Sequence, residues 1–334
     1  MKFKAVMEND GFTPLGGTQS MVLHVLQALQ RLERAAERRG GQGAAAAQRN
    51  GAAPPSVVLK LTQENIAICH RGGADEGSQT WCHFQSGKLF QEYRIESKRA
   101  NKIDLEAPIA NLVHVFSSCV NSDRTTLRLA NGRDGRPILG FEFNMAGNVA
   151  DHRVGQEVPV RVIPESEADL IIEPALPEPE YQIELPGSLQ KLRNVMTQMR
   201  AVGAQHVLVE AAQEKAPPLA SGPMGATAPA ASGTMNGGPG RAWLKLAAEA
   251  ELVVIASTFP SLGLVMEGKK TASPEGPVRL YLSLRRLGEV LAAFQQVGAE
   301  AHIACVLENR ALVLYALLPK SLGSLISYTP AVLS

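Results

Sequence analysis

The chain has 334 residues, of which 45% are hydrophobic, 19% charged and 5% aromatic, which predicts a folded protein of two ordinary-sized domains and excludes a disordered chain. The 33 Lys and Arg residues nearly balance the 32 Asp and Glu residues, so no overall positive charge draws the chain onto nucleic acid. The low aromatic content also argues against a surface built to stack on bases.

Four cysteines occur without any Cys-x-x-Cys pair, and the sequence opens MKFKAVMEND without an apolar targeting segment. We therefore expect neither secretion nor a disulfide scaffold, and a reducing compartment. Charged or polar residues interrupt the apolar runs, so no membrane span is predicted.

From the amino terminus onward, four segments with helical spacing interrupt a series of short alternating segments that predict strands. The expected helices are Thr13–Arg39, Pro108–Cys119, Pro186–Val202 and Ser283–Val297. The expected strands of the first half are KFKAVM, VVLKLT, IAICH, TWCHF, LFQEYRIE, KIDLE, TTLRLA, ILGFEF and VPVRVI; those of the second half are YQIEL, HVLVEA, AWLKLAA, LVVIAST, VRLYLSL, AHIACVLE and ALVLYALL. Their spacing favours antiparallel meanders with a few helices, which is an α+β fold.

Three segments interrupt this pattern and divide the chain. Residues 35–56 and 215–241 are rich in Ala, Gly and Pro and predict flexible low-complexity inserts. The segment IPESEADLIIEPALPEPE contains four prolines and six acidic residues, which predicts an extended connector. We expect an N-terminal domain over residues 1–163, a connecting loop over 164–180 and a C-terminal domain over 181–334. The similar helix spacing in the two halves, once the inserts are removed, indicates an internal duplication.

Basic side chains are concentrated on the exposed faces of three of the four expected helices, whereas the second exposes Asn111, His114 and Ser117. A basic outer face often only solvates a helix, but three of them in a chain of net charge +1 favour contact with phosphates. Without aromatic residues between them, such cations would not read bases. The candidate residues are Arg31, Arg34, Arg38, Lys191, Arg193, Arg200, Arg285 and Arg286.

The sequence gives less support to nucleotide-binding, zinc-binding or catalytic motifs. The segment GLVMEGKK (263–270) nearly matches a phosphate-binding loop, but Lys270 replaces the Ser or Thr that would hold Mg²⁺. The Cys-His pairs at 69–70 and 82–83 offer zinc ligands, yet neighbours on a strand point to opposite faces, so we expect buried cysteines and surface histidines. No nucleophile elbow or His-Glu-x-x-His motif occurs. No metal or cofactor is therefore predicted.

Several segments together resemble the Hus-type subunit of the nine-one-one checkpoint clamp. They are the opening MKFKA, the WCHF and LFQEYRIES pair, NKIDLE, VPVRVIP before the connector, PEYQIELPGSLQKLRNVMTQM after it, and the closing ISYTPAVLS. The resemblance implies a sliding-clamp fold similar to PCNA, with two similar domains, antiparallel sheets outside and two helices per domain lining a DNA channel. The eight basic residues above would then face the DNA.

The same resemblance implies a non-catalytic subunit that joins two Rad-type subunits in a heterotrimeric ring. Such a ring would be placed by a clamp loader around double-stranded DNA at damage sites, and would recruit checkpoint signalling and repair factors. The expected location is the nucleus, with a cytoplasmic pool also compatible.

Two alternatives stay open: a self-trimerising processivity clamp for a DNA polymerase, and a nucleotide-binding enzyme that would use the near-match to a phosphate-binding loop. Rings of this family close by joining edge strands. We expect ALVLYALL and TTLRLA to be those edges, because each is apolar enough to be costly if exposed.

Overall fold

A computed structural model describes residues 1–8, 17–39, 54–71, 77–144, 153–214, 240–251, 253–265 and 276–332. Most of the first insert, nearly all of the second and residues 266–270 of the GLVMEGKK segment lie outside the described residues. Among the helices described, none is long and apolar enough to cross a membrane.

The α-helices of the described chain lie where helical spacing predicts them, with two single-turn additions; Pro319–Ser321 forms one further 3-10 turn, and residues 13–16 of the first expected helix lie outside the described residues. The α-helices are α1 (Gly17–Arg39), α2 (Ser86–Leu89), α3 (Ile109–Cys119), α4 (Glu165–Ala168), α5 (Gln190–Ala201) and α6 (Leu284–Phe294). Two expectations overlap over residues 35–39, the first helix (Thr13–Arg39) and the first insert (35–56), and the structure continues α1 through Arg39, so only the start of the insert at residue 35 is wrong. The sequence AAERR has good helix-forming residues.

Eighteen strands are described, and every strand expected from the sequence is represented among them. They are β1 (Lys2–Glu8), β2 (Ser56–Leu61), β3 (Asn65–Arg71), β4 (Gln79–Gln85), β5 (Glu92–Glu96), β6 (Ile103–Pro108), β7 (Arg124–Asn131), β8 (Pro137–Asn144), β9 (Arg153–Pro159), β10 (Arg161–Val162), β11 (Tyr181–Glu184), β12 (His206–Gln213), β13 (Arg241–Ala250), β14 (Val253–Gly263), β15 (Val278–Ser283), β16 (Ala301–Leu307), β17 (Ala311–Leu317) and β18 (Gly323–Pro330).

These strands form three antiparallel sheets. A five-stranded sheet has the order β5-β1-β7-β8-β9, and a four-stranded sheet has the order β14-β13-β12-β15. A nine-stranded sheet, β10-β6-β2-β3-β4-β18-β17-β16-β11, contains strands from both halves of the chain. The halves meet where β4 pairs with β18. A Cβ atom at Gly323 in β18 would overlap the backbone of His83 in β4, so glycine is required at this junction. The domain boundaries at 163 and 181 stay a prediction.

One continuous apolar core lies between the helices and the sheets. It includes Val25 and Leu29 of α1, Leu192 of α5, and Leu287 of α6, together with the inward-facing residues of all three sheets. The apolar stripes of the helices therefore face the sheets, and their polar stripes form the opposite, exposed surface.

The connector crosses the other face of the nine-stranded sheet and is attached to it by apolar and polar contacts. Ile171 is buried in a second apolar cluster that includes Trp81. The Lys60 ammonium donates hydrogen bonds to the carbonyl oxygens of Ala168 (3.1 Å) and Ile171 (2.7 Å). Arg99 forms ion pairs with Glu165 (3.0 Å) of the connector and with the buried Asp104 (2.7 Å) of β6.

Glu173 adds a further attachment of the connector. Its Oε2 lies 3.0 Å from Nε2 of His83, and its Oε1 accepts a short hydrogen bond from the Tyr328 hydroxyl. Burial alone would raise the pKa of Glu173, but the hydrogen bonds from His83 and Tyr328 outweigh it and hold that pKa below its usual value. The ionised carboxylate thus stabilises the attached connector.

Both strands expected at the ring edges lie inside sheets, so that expectation is wrong. TTLRLA belongs to β7, which lies between β1 and β8; ALVLYALL belongs to β17, which lies between β16 and β18. Most of their apolar side chains are covered within this chain and need no partner subunit, whereas Leu317 at the end of β17 is 36% exposed.

The Cys-His pairs form no shared site in the structure. Cys69 belongs to the apolar cluster under the connector, whereas Cys82 belongs to the main core on the other face of the sheet. The expectation of surface histidines is wrong for His70, which is buried and has Nε2 2.5 Å from Oε2 of Glu33 in α1. No group of three or more potential metal ligands occurs among the described residues.

Candidate nucleic-acid interface

Three helices converge on a groove of about 750 Å³ at the exposed surface between the two halves. The groove is formed by α1 from the first half and by α5 and α6 from the second. Six of the eight candidate basic residues line it: Arg31, Arg34, Arg38, Arg193, Arg200 and Arg285. The described part of the chain adds one acidic residue to the lining, Glu289, whose Oε1 lies 3.3 Å from Nε of Arg285. The groove is therefore strongly positive, although the whole chain is nearly neutral.

The sequence of α1 explains why its arginines reach the groove. Val25, Leu29 and Leu32 are buried at spacings of three and four residues. Arg31, Arg34 and Arg38 follow the same spacing on another side of the helix and are exposed.

Hydrogen bonds between helices hold three of the guanidinium groups at this seam. Arg31 donates to the carbonyl oxygen of Ala292 (3.3 Å), which connects α1 to α6. Arg200 donates to the carbonyl oxygen of Arg285 (2.5 Å), and Arg193 donates to Oε1 of Gln295 (2.6 Å). Each guanidinium has five N–H donors, so these bonds fix its position while leaving donors for an anion.

A glycine provides the space for one of these bonds. A Cβ atom at Gly288 of α6 would lie 2.9 Å from Nη2 of Arg200, closer than side chains pack. Glycine inside a helix costs about 1 kcal/mol relative to alanine. Here it allows the Arg200 guanidinium to lie directly across α6.

The structure does not bring the last two candidates into the groove. Lys191 is exposed in the first turn of α5, outside the groove lining. Arg286 is half-buried beside a small cavity that is also lined by His70 of β3, Glu289, and Ser327 of β18. Consecutive helix residues point about 100° apart, which turns Arg286 from the groove toward the junction between the halves.

The candidate residues did not include the uncharged polar residues of the groove, Gln27, Gln30, Thr197 and Gln296. Gln27 and Gln30 precede Arg31 and Arg34 by four residues, so helical spacing alone could have found them. The helix α3 contributes only Val113 to the lining, so the charge is confined to three of the four long helices of the described chain.

Comparisons with known proteins identify a matching family model and several related proteins. A family model described as Hus1-like protein matches residues 54–333. Checkpoint protein HUS1 of Homo sapiens is 25% identical over 264 residues, which covers 76% of this chain and 82% of the relative. Checkpoint protein hus1 of Schizosaccharomyces pombe is 30% identical over 132 residues, which covers 39% and 45%. A homologue from Dictyostelium discoideum is 26% identical over 44% of this chain and 59% of its own length.

The matched segments thus span about half of the S. pombe protein, three fifths of the Dictyostelium protein and most of the human protein. Among solved structures, a PCNA2-PCNA3 complex from Sulfolobus tokodaii contains a chain with a TM-score of 0.58 and 12% identity, and the match covers 98% of both chains. At this identity the likeness establishes the fold alone, which is that of the PCNA sliding clamp. The fold class expected from the sequence is confirmed.

Proposed function

The chain belongs to the Hus1-like protein family, and from this premise we propose that it is a non-catalytic subunit of a heterotrimeric checkpoint clamp. The ring encircles double-stranded DNA, is placed there by a clamp loader, and recruits checkpoint and repair factors in the nucleus. Its partners are two Rad-type clamp subunits. The human and S. pombe relatives are named checkpoint proteins, and the structural neighbour is a complex of two different PCNA chains, which supports assembly with other clamp subunits.

The observation that carries the DNA-binding part is the groove between α1, α5 and α6. Six arginines from both halves share one exposed surface, and one glutamate partly offsets them. Arginine forms strong hydrogen bonds with phosphate oxygens, so the groove suits a DNA backbone and does not read sequence. Because α3 adds no charge to the lining, we expect the phosphate contacts to come from α1, α5 and α6.

Two free edge strands are suitable joints for a ring. Among the described strands, β9 is one edge of the five-stranded sheet and β14 is one edge of the four-stranded sheet, the opposite edges being β5 and β15. The β9 sequence RVGQEVP carries charges of both signs, whereas the β14 sequence VVIASTFPSLG carries none. Pairing one copy's β9 with another copy's β14 would set charges against apolar side chains, which favours different partner subunits over a self-trimer.

The experiment is a reconstitution of the ring with tagged Rad-type subunits, followed by DNA retention at several salt concentrations. Reversing the charges of Arg31, Arg34 and Arg193 to Glu should weaken retention most at low salt, without dependence on DNA sequence. A matched variant reverses three exposed cations outside the groove, Lys98, Lys102 and Arg133. Equal losses in both variants would contradict the groove as the DNA contact. A sizing column run on the isolated chain separates a hetero-ring subunit, which elutes as a monomer, from the self-trimerising alternative.

A further inference from the structure

Large apolar side chains are exposed at eight described positions, and six of these form two clusters. Three lie on the connector, at Leu170, Ile172 and Leu176. The second cluster, Val253, Val254 and Tyr281, borders a concavity of about 1420 Å³ beside the four-stranded sheet. Val254 is 68% exposed and Tyr281 is 45% exposed. Contiguous exposed apolar surface of this kind marks interaction sites in soluble proteins.

The strand register places an apolar row on the sheet face that points away from the core. Leu208 of β12 lies opposite Ala247 of β13 on one side and opposite Tyr281 of β15 on the other. The next residues of β12 on either side, Val207 and Val209, point into the core and are fully buried. Leu208 and its neighbours therefore form the floor of the concavity, outside the folded core.

The rim of this concavity is acidic. Glu249 lies opposite Val254 in the β13–β14 pairing, and Glu251 follows in the turn; both are exposed and line the concavity. Neither forms an ion pair with a described residue. No Lys or Arg occurs among the described residues that line the site.

From this apolar floor and acidic rim, we propose that the face between Leu208, Val254 and Tyr281 is a docking site for a linear protein segment with apolar side chains flanked by Lys or Arg. The floor takes the apolar side chains, and Glu249 and Glu251 attract the flanking cations and fix the segment's direction. This site is separate from the arginine groove and from the connector. The inference gives the recruiting role of the proposed clamp a specific surface, but binding to the isolated chain tests it without any ring.

The test uses fluorescein-labelled synthetic twelve-residue peptides and fluorescence anisotropy on the full chain. The first peptide has three large apolar residues in its middle and two Lys or Arg at each end. The second has Glu in place of the basic residues, and the third has Ser in place of the apolar residues. We expect the first peptide to bind at least tenfold more tightly than the other two.

Variants locate the site. V254S/Y281S should weaken binding of the first peptide at least tenfold, whereas L170S/I172S on the connector should leave it unchanged. E249K/E251K should weaken the basic peptide at least fivefold and strengthen the acidic one. The latter variant changes only exposed side chains, so it remains informative if the apolar variant does not fold.

Three results would overturn the proposal. The connector variant could reduce binding as much as V254S/Y281S, which would show a non-specific apolar effect. The acidic peptide could bind as well as the basic one to the unaltered chain. Assembly with the other clamp subunits could abolish binding of the basic peptide, which would identify a neighbouring subunit as the occupant of this face.

Discussion

Arg285 and Arg286 are consecutive in α6, and the structure predicts opposite consequences when each loses its charge. The Arg285 side chain is 54% exposed in the groove and forms an i, i+4 ion pair with Glu289. Ion pairs at i, i+4 in a helix contribute about 0.3–0.5 kcal/mol. We therefore expect R285Q to lower the Tm by no more than about 2 °C.

If Arg285 contacts one phosphate, its loss removes about 0.9 from the slope of log affinity against log salt. By the same relation, the affinity of the ring for DNA at 0.1 M salt should be roughly eightfold lower. The assay is a salt titration of the reconstituted ring on double-stranded DNA.

Arg286 is half-buried at the junction of the two halves, and its Nε is screened from solvent. Replacing it by methionine keeps part of the apolar stem but removes the charge among the polar groups there. Losses at such partly buried charged sites are about 1–3 kcal/mol, so R286M should lower the Tm by about 3–8 °C. The salt slope should not change. The reasoning is refuted if R286M reduces the slope at an unchanged Tm, or if R285Q is the more destabilising of the two.

Three further outcomes follow from the same structure. The pKa of Glu173 is lower in the folded chain than in the unfolded chain, so its carboxylate stabilises the fold above the unfolded carboxyl pKa of about 4.3, and this stabilisation is lost as the pH falls. The Tm difference between the parent chain and E173Q should therefore shrink from pH 7 to pH 3.5. A constant Tm difference would contradict this. Only alternate backbone N–H groups of an edge strand point outward, so one of the two variants A256P and S257P in β14 should block ring assembly and leave a folded monomer. If both variant chains still assembled into rings, β14 would be excluded as a joint. All four cysteines are buried, and burial raises the pKa of Cys69 to about 12, so a thiol reagent at pH 8 should label none in the native chain and four in denaturant.

Local patterns in the sequence were sufficient for the four long helices and most strands of the described chain, but not for the single-turn helices α2 and α4. The helical spacing of α3 and α6, for example, gave their bounds within about three residues, because their apolar stripes pack on sheets and their ends carry clear signals. Ser283, where the expected helix begins, is the N-cap of α6, and its Oγ accepts a hydrogen bond from the backbone N–H of Arg286. The start of the first insert was harder to predict, since residues 35–39 have both the helical spacing that predicts a helix through Arg39 and the Ala-rich composition of a flexible insert.

The position of each strand within its sheet could not be predicted in the same way. The strand β17 is apolar because β16 and β18 flank it and both of its faces are covered, which depends on the long-range pairing of β18 with β4. An apolar strand at a ring joint would have the same local pattern. Strand order therefore has to come from the folded structure.

The candidate interface was partly predictable for a related reason. A helical wheel identifies the exposed face of one helix, and it placed Arg31, Arg193 and Arg285 on the helix faces that line the groove. It cannot show that a second element covers part of that face. Arg286 is half-buried and His70 is buried because β3, β18, α1 and α6 meet at the junction of the halves, and this junction joins residues more than 200 positions apart.

The central claim, a ring that encircles DNA, is tested most directly by retention of the assembled trimer on circular and linear DNA of the same sequence. The clamp is loaded on a nicked circular plasmid and washed at high salt, where phosphate contacts are weak. A topological link predicts retention on the circle and release once a restriction enzyme cuts it. Equal retention on circular and linear DNA, or complete loss from the circle in high salt, would contradict the account.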